Sequence, residues 1–189
     1  MPQGPFAAEA DQREWIERVS TSADPFFYAI VDNTTNLAVG ISSYLRIDEA
    51  NGVIEVGYLS FSGALQRTPA ATEAMYLMAN NVFNRGFRRY EWKCNVLNAP
   101  SIAAAERLGF SFEGVFRNAV IVKGHNRDTA WFGFTIDDWT DGLKDAHETW
   151  LAESNFDAEG TQRQRLSDLT ARFRQSTFPE LTVTFHEHH

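Results

Sequence analysis

The sequence has a single cysteine, Cys94, among its 189 residues, so no disulfide can form within the chain. Proteins without disulfides are typical of reducing compartments, and we therefore predict an intracellular, cytoplasmic protein. A lone cysteine in a predicted strand is more often a packing residue than a reactive thiol. We interpret Cys94 as a packing residue.

Histidine is also scarce, and three of the five histidines lie at the very end of the chain, as His186, His188 and His189. We interpret these three as the remnant of a purification tag or as a mobile tail. No Cys/His set has the spacing of a metal site, and neither a Walker loop nor a Gly-x-Ser-x-Gly elbow occurs. The sequence therefore predicts no metal site.

Basic residues are outnumbered by acidic ones, and the formal net charge is −8. Nonspecific nucleic-acid binding needs lysine and arginine for the phosphates, so we expect no nucleic-acid partner. No apolar run is long enough to span a bilayer, so we expect no membrane contact. The charge is uneven, because residues 85–127 carry +5 and the remainder −13. This basic middle favours a small polyanionic ligand, although solvated strand edges and helix faces would explain it as well.

Apolar residues are plentiful, at 43% of the chain, which is enough for one domain over residues 1–175 with a tail at 176–189. Hydrophobic periodicity and turn residues predict a mixed α/β fold rather than a doubly wound one. The predicted elements, in chain order, are a helix before Pro25, strands at 26–31, 37–47 and 53–61, a helix at 69–84, a strand at 91–96, a short helix after Asn98, strands at 115–123 and 128–136, and C-terminal helices within 137–175, one of them at 159–173.

The stretch 91–116 has the most specific pattern, which predicts a strand, a helix and a second strand. Asn98 is a favourable N-cap, and Pro100 suits the first helical turn, where amide groups lack partners. Gly109 occupies the position where a left-handed residue ends many helices. A helix that begins just after a strand end exposes amides and polar side chains, and α/β proteins often bind ligands there.

The motifs Asn98-x-x-Ser101, Arg107-Leu108-Gly109-Phe110 and Glu113-Gly114 resemble those of the GNAT superfamily of N-acetyltransferases, and most of all its ribosomal-protein-type (RimJ/RimL) branch. The resemblance extends from about Pro25 to Trp139. It implies a GNAT fold, in which helices flank a central, mixed and mostly antiparallel sheet. It also implies that the first strand and helix of the family, which precede the position of Gly4-Pro5, are missing.

The resemblance implies an enzyme that transfers an acetyl group from acetyl-CoA to a primary amine by direct attack in a ternary complex. Glu55 matches the glutamate proposed as the base in this branch, acting through water, although it could equally be a surface-facing strand glutamate. Asn98 would hold the pantetheine arm, and Ser101 would protonate the leaving thiolate. An ordinary N-cap and a packing residue are the alternatives for these two residues.

The pyrophosphate of the carrier is expected at the loop before the helix at 69–84. The family's loop is arginine or glutamine followed by Gly-x-Gly-x-Ala, but here Arg67 and Pro69 replace both glycines. Proline removes an amide donor, and we expect Arg67 and the hydroxyls of Thr68 and Thr72 to compensate. The resemblance implies the following cofactor-binding residues: Phe61, Gln66, Arg67, Thr68, Ala70, Ala71, Thr72, Asn98 and Arg107.

The acceptor implied by the resemblance is a protein N-terminal amine or a small-molecule amine. Tyr44, Trp92 and Trp131 are candidates to line its cleft, unless they are core residues. The missing glycines and the missing first strand favour an alternative function, a non-catalytic module that binds an acyl-CoA or bridges partners on the same fold. The helices after Trp139 are expected to pack on the domain or to form the contact of a homodimer.

Overall fold

A computed structural model describes residues 4–179. The predicted tail beyond residue 179, with its three histidines, lies outside the described residues. The helices and strands are α1 (Glu9–Val19), β1 (Phe26–Asp32), β2 (Leu37–Asp48), β3 (Val53–Phe61), α2 (Pro69–Asn84), β4 (Arg89–Asn95), α3 (Ala99–Arg107), β5 (Ser111–Val122), β6 (His125–Thr135), α4 (Ile136–Asp138), a π-helical turn (Trp139–Leu143), α5 (Lys144–Leu151) and α6 (Leu166–Thr170), with 3₁₀ turns at Glu153–Asn155 and Ala171–Phe173. None of these helices is both long and apolar enough to cross a bilayer.

The six strands form one sheet in the order β1–β2–β3–β4–β6–β5. The pair β3–β4 is parallel, and the other four pairs are antiparallel. A parallel pair needs a crossover connection, and α2 supplies it between β3 and β4. The predicted fold class, a mixed and mostly antiparallel sheet flanked by helices, is confirmed.

Strand β4 shows how the sheet separates apolar from charged residues. Tyr90, Trp92 and Cys94 belong to the main hydrophobic core, together with residues of α2 and α3 such as Met75 and Ala105. Since successive side chains of a strand point to opposite faces, the charged residues between them lie on the other face of the sheet. The two faces are called here the helix face and the charged face. The burial of Cys94 agrees with its interpretation as a packing residue.

The starts of α2 and α3 follow the predicted capping residues. The Thr68 hydroxyl oxygen accepts a hydrogen bond from the Ala71 amide, and Asn98 does the same for the amide of Ser101. A proline follows each cap within the first turn, where its missing N–H leaves no hydrogen bond unmade. Both helices therefore begin where local sequence chemistry fixes them.

Residues 159–173 differ from the prediction of one long helix. Asp157 accepts hydrogen bonds from the amides of Glu159 and Thr161, and Asn155 exchanges hydrogen bonds with the backbone of Gln164. Such local bonds from side chain to backbone compete with helix formation. The segment folds instead into a loop, and helix appears only at α6.

The C-terminal part of the described chain packs back on α3 and on the sheet. Gly109, with φ +96°, lies against Leu143, and an added Cβ would lie 2.6 Å from Leu143 Cδ1. The Phe178 ring packs against Phe112 and Phe132. The residues after β6 therefore cover the end of α3, and they form part of the site described next.

Candidate active site

The site lies where the two parallel central strands separate. Strand β3 pairs with β4 only over Val53–Val56, whose partners are Arg89–Trp92. Both strands continue beyond these pairs, to Phe61 and Asn95 respectively. Tyr58 has φ +51°, which marks a bend in β3 just after the separation. An open wedge therefore lies between the carboxyl ends of β3 and β4.

On the helix face, this wedge opens into a cleft of about 1070 Å³. Its volume lies at the upper end of the range typical of small-molecule sites. The residues predicted from the sequence that line it are Phe61, Gln66, Arg67, Thr68, Ala71, Thr72, Trp92, Asn98, Ser101 and Arg107. Trp150, Phe156 and Gly160–Gln162 form the wall that sequence reasoning missed. Ala70, Glu55, Tyr44 and Trp131 are not part of the lining.

At the start of α2, both threonine hydroxyls are already engaged. The Thr68 hydroxyl donates to the Leu65 carbonyl at 2.7 Å while it caps Ala71. Thr72 is buried, and its oxygen accepts a hydrogen bond from Arg107 Nη1 at 3.0 Å. The Thr72 hydroxyl only accepts, so its hydrogen remains free to donate, and the expectation that these hydroxyls bind phosphate stays a prediction. The helix N-terminus and two arginines are what this end of the cleft offers to an anion.

Arg67 occupies the position where the family's loop has its first glycine. The residue is exposed and has φ +61°, a left-handed conformation that glycine adopts readily and other residues adopt at a cost of about 1 kcal/mol. The loop thus holds a non-glycine residue in a conformation that suits glycine.

A substitution series at this position tests the strain. Arg67→Gly should be more stable than Arg67→Ala by about 0.5–1 kcal/mol, since only glycine removes the clash of Cβ at positive φ. Chemical denaturation of both variants measures the difference. Equal stability of the two variants would show that Arg67 does not hold a left-handed conformation in solution.

Arg107 is the last residue of α3 and lines the same cleft. Its guanidinium lies over the Trp150 ring, 4.9 Å from the centroid. Burial lowers its pKa from the usual value for arginine, although not enough to remove its charge at neutral pH. No acidic side chain pairs with it among residues 4–179. A partly buried cation in this position favours an anionic ligand.

The start of α3 brings two further predicted residues to the wedge. The Ser101 hydroxyl oxygen accepts a hydrogen bond from Trp92 Nε1 at 3.1 Å, so the hydroxyl hydrogen remains free to donate. Asn98 Oδ1 serves as the cap at 3.3 Å, which leaves the Nδ2 group for a ligand. The capping role and a ligand-binding role can therefore coexist in Asn98, since different atoms serve them.

Glu55 lies on the charged face and is buried, with 5% of its side chain exposed. The alternative of a surface-facing glutamate is therefore wrong. Its Oε2 atom contacts two cations, Arg46 Nη1 at 2.6 Å and Lys93 Nζ at 2.9 Å. Its Oε1 atom accepts no hydrogen bond within the described part of the chain and lies near Gly57, where an added Cβ would be 3.8 Å away. One carboxylate oxygen is therefore held, and the other is directed toward the point where the strands separate.

The ion pairs of Glu55 continue across the sheet. Lys93 also contacts Glu91 Oε2 at 2.7 Å, and Arg89 Nε donates to Glu91 Oε1 at 2.7 Å. Burial raises the pKa of Glu91, but the hydrogen bonds from Lys93 and Arg89 outweigh it and lower the pKa overall. Arg89 also pairs with Glu113 on β5. These linked ion pairs of Glu55, Lys93, Glu91, Arg89 and Glu113 are called the ladder here. Sequence reasoning missed it, although the i, i+2 spacing of Arg89, Glu91 and Lys93 on one strand indicated it.

The three proposed acceptor residues lie in different places. Tyr44 is buried on the helix face, its hydroxyl donates to the Met78 carbonyl at 2.8 Å, and burial raises its pKa to about 12. This agrees with the alternative that Tyr44 is a core residue. Trp92 lines the cleft, whereas Trp131 lies on the charged face, stacked on Phe116 and beneath the Lys93 ammonium.

Comparison with known proteins places this architecture in a family. A family model described as an acetyltransferase (GNAT) domain matches residues 2–111. A GCN5-related N-acetyltransferase from Brucella melitensis has a solved structure that is 44% identical, with a TM-score of 0.87 over 90% of this chain and 77% of that one.

Two further relatives are more distant. The SPbeta prophage-derived uncharacterized N-acetyltransferase YokL of Bacillus subtilis is 28% identical over 131 residues, or 68% of this chain and 72% of that protein. The microcin C7 self immunity acetyltransferase MccE, solved in complex with acetyl-CoA and AMP, is 26% identical, with a TM-score of 0.59 over 67% of this chain and 71% of that one. Because the family model covers more than half of the sequence, the chain belongs to the GNAT family and is an acetyl-CoA-dependent acetyltransferase.

Proposed function

We propose that the protein transfers the acetyl group of acetyl-CoA to a primary amine by direct attack in a ternary complex. In this proposal the thioester carrier occupies the cleft on the helix face, and the amine approaches from the charged face. The observation that carries the proposal is the separation of β3 from β4, with Ser101 on one side of the wedge and Glu55 on the other. Two reactants can then meet in the wedge from opposite faces of the sheet.

The features of the cleft support a carrier with phosphate groups. The first turn of α2 presents the Ala70 amide and the positive end of the helix dipole, whereas Pro69 has no N–H and the Ala71 amide is bound by the Thr68 hydroxyl. Arg67 and Arg107 supply positive charge at the same end. The binding roles assigned to Phe61, Gln66, Ala70, Ala71 and Asn98 stay predictions.

The chemistry then divides between two residues. Acetyl-CoA supplies the acetyl group as a thioester. Only a neutral amine can attack it, and because most amines are protonated at neutral pH, the amine first releases one proton to solvent. Glu55 Oε1 accepts the proton that the amine gives up as the new N–C bond forms, directly or through a water. The Ser101 hydroxyl donates a proton to the sulfur as the C–S bond breaks, and the proton on Glu55 returns to Ser101 through solvent. The products are an amide and the free thiol of CoA.

The branch of the family and the identity of the acceptor are parts of the same proposal. The motif spacing of residues 98–114 favours the ribosomal-protein-type branch, in which a protein N-terminus is one acceptor and a small-molecule amine the other. A homodimer formed through the C-terminal helices stays a prediction. The non-catalytic module is less favoured, because the cleft on the helix face is lined by most of the cofactor-binding residues that the resemblance implies.

The experiment is a thiol-release assay with acetyl-CoA across a panel of small amines and peptides with free N-termini, with mass spectrometry of the products. We expect thiol release to match acetylated amine one to one, and an N-terminally blocked copy of each active peptide to be inert. A thermal-shift series with acetyl-CoA, CoA and desulfo-CoA runs alongside. Stabilisation by these compounds without thiol release for any amine would support the module, and no stabilisation would count against both functions.

A further inference from the structure

Lys93 is an unusual lysine, because only 5% of its side chain is exposed. Burial of an ammonium group is costly unless charged or polar partners surround it. Its Nζ atom lies 2.9 Å from Glu55 Oε2, 2.7 Å from Glu91 Oε2 and 3.6 Å from the centroid of the Trp131 ring. Two carboxylates and an aromatic face thus surround the ammonium group. The contacts of Lys93 are therefore with the protein itself.

The position of Lys93 in the sheet places its contact with Glu55 next to the end of the β3–β4 pairing. Trp92 is the last residue of β4 that pairs with β3, and Lys93 follows it directly. Its ammonium therefore ties β4 to Glu55 of β3 at the point where backbone pairing ends. Among the described residues, no other ion pair joins β3 and β4 on the charged face.

The second cation on Glu55 is held less firmly. Arg46 of β2 contacts the same Oε2 atom, but 59% of its side chain is exposed. The Arg46 guanidinium can exchange the carboxylate for water, because most of its side chain is exposed. Lys93 is then the partner that keeps Oε2 in place when Arg46 moves.

We propose that Lys93 is a positioning residue for the acetyl transfer, which holds Oε2 of Glu55 so that Oε1 faces the wedge as the proton acceptor. This inference rests on the proposed function. Arg46 from β2 and Lys93 from β4 contact the carboxylate, and Glu91 and Trp131 contact the Lys93 ammonium in turn. Of the two cations on Glu55, Lys93 is the buried one, so it is the partner that fixes the position of the carboxylate.

The test is Lys93→Met, which keeps the length of the side chain and removes the charge. We expect kcat to fall about tenfold, with the KM for acetyl-CoA changed by less than about threefold, because the cleft on the helix face is untouched. A merely structural role would change kcat and the KM for acetyl-CoA together, so the split between the two constants is the readout of positioning.

Arg89→Met is the matched control, because Arg89 belongs to the same ladder but contacts Glu91 and Glu113 rather than Glu55. It should retain kcat within about threefold. In a Glu55→Gln background, Lys93→Met should cause no further loss of kcat, since the residue on which Lys93 acts is gone. Should Lys93→Met fail to fold, Lys93→Gln keeps a donor to Oε2 without the charge, and it should still lower kcat more than it raises the KM for acetyl-CoA.

The outcomes separate this inference from the proposed function. An active wild-type enzyme, together with a Lys93 variant of unchanged kcat, overturns the positioning role alone. An equal loss of kcat in Arg89→Met overturns it too, because the effect would then belong to the whole ladder. A wild-type protein that binds acetyl-CoA but acetylates no amine refutes the proposed function, and the positioning role with it.

Discussion

Glu55→Gln is expected to lower kcat by about 10³-fold, since a positioned general base contributes 10²–10⁴-fold and an amide cannot accept the proton. The glutamine side chain keeps the shape of glutamate, and its oxygen can still accept hydrogen bonds from Arg46 and Lys93. The affinity for acetyl-CoA should change by less than about twofold, because Glu55 does not line the cleft. Steady-state kinetics with an active amine and calorimetric titration of acetyl-CoA measure the two quantities.

The control is Glu113→Gln, which removes a carboxylate from the same face without touching Glu55. It should retain kcat within about threefold, as expected for a half-exposed ion pair outside the reacting groups. Circular dichroism of both variants checks that they fold. If Glu55→Gln kept its turnover across the pH range, Glu55 would not be the base, and the amine would have to lose its proton elsewhere.

His147 should make the protein less stable as the pH falls from about 6.5 to about 4. Burial is the main cause that lowers the pKa of His147 to about 4, from a usual value of 6.5. The ring is neutral in the folded protein, with Nε2 3.0 Å from the Leu108 carbonyl and with Nδ1 buried and without a hydrogen-bond partner among residues 4–179. Protonation of Nδ1 would place a charge among apolar side chains, which explains the direction of the shift.

The direction of this pH dependence follows from the number of protons that each state binds. Between pH 4 and 6.5 the unfolded chain binds a proton at His147 and the folded chain does not, so the free energy of unfolding rises with pH in this window. The shift corresponds to as much as about 3 kcal/mol, lost as the pH falls through the window. Urea denaturation between pH 4 and 7.5 should show this loss. His147→Gln, which keeps a donor for Leu108, should flatten the slope by that amount.

The exposed His125 provides the comparison for this experiment. His125→Gln should leave the dependence of unfolding on pH unchanged, since the exposed side chain lies outside the buried surroundings of His147. A slope that persists in His147→Gln would show that other groups are responsible for the loss of stability in acid.

Local chemistry explains what the sequence predicted well. Thr68 and Pro69, and likewise Asn98 and Pro100, are a cap and a first-turn proline, and such signals act over a few residues. The starts of α2 and α3 were therefore predictable, and the wedge they border could be inferred from the family resemblance. The assigned roles of the site residues, and the domain boundary at residue 175, stay predictions.

Long-range geometry explains what the sequence did not predict. Glu55 meets Lys93 because β3 and β4 are paired in one particular register, and no local pattern specifies that register. The wall of the cleft at Trp150 and Phe156 depends on a loop whose hydrogen bonds replace the helix predicted at 159–173. Sequence periodicity near that loop indicated a helix, and side-chain bonds of Asn155 and Asp157 overrode it.

The central claim is that a thioester carrier binds in the wedge between β3 and β4, with its phosphates at the start of α2. A crystal structure of the protein grown with CoA tests this most directly. We predict pantetheine between Phe61 and Ser101, and pyrophosphate oxygens within hydrogen-bond distance of the amides at Ala70–Thr72. A structure in which CoA binds elsewhere while the wedge is filled by the protein's own side chains would contradict the account.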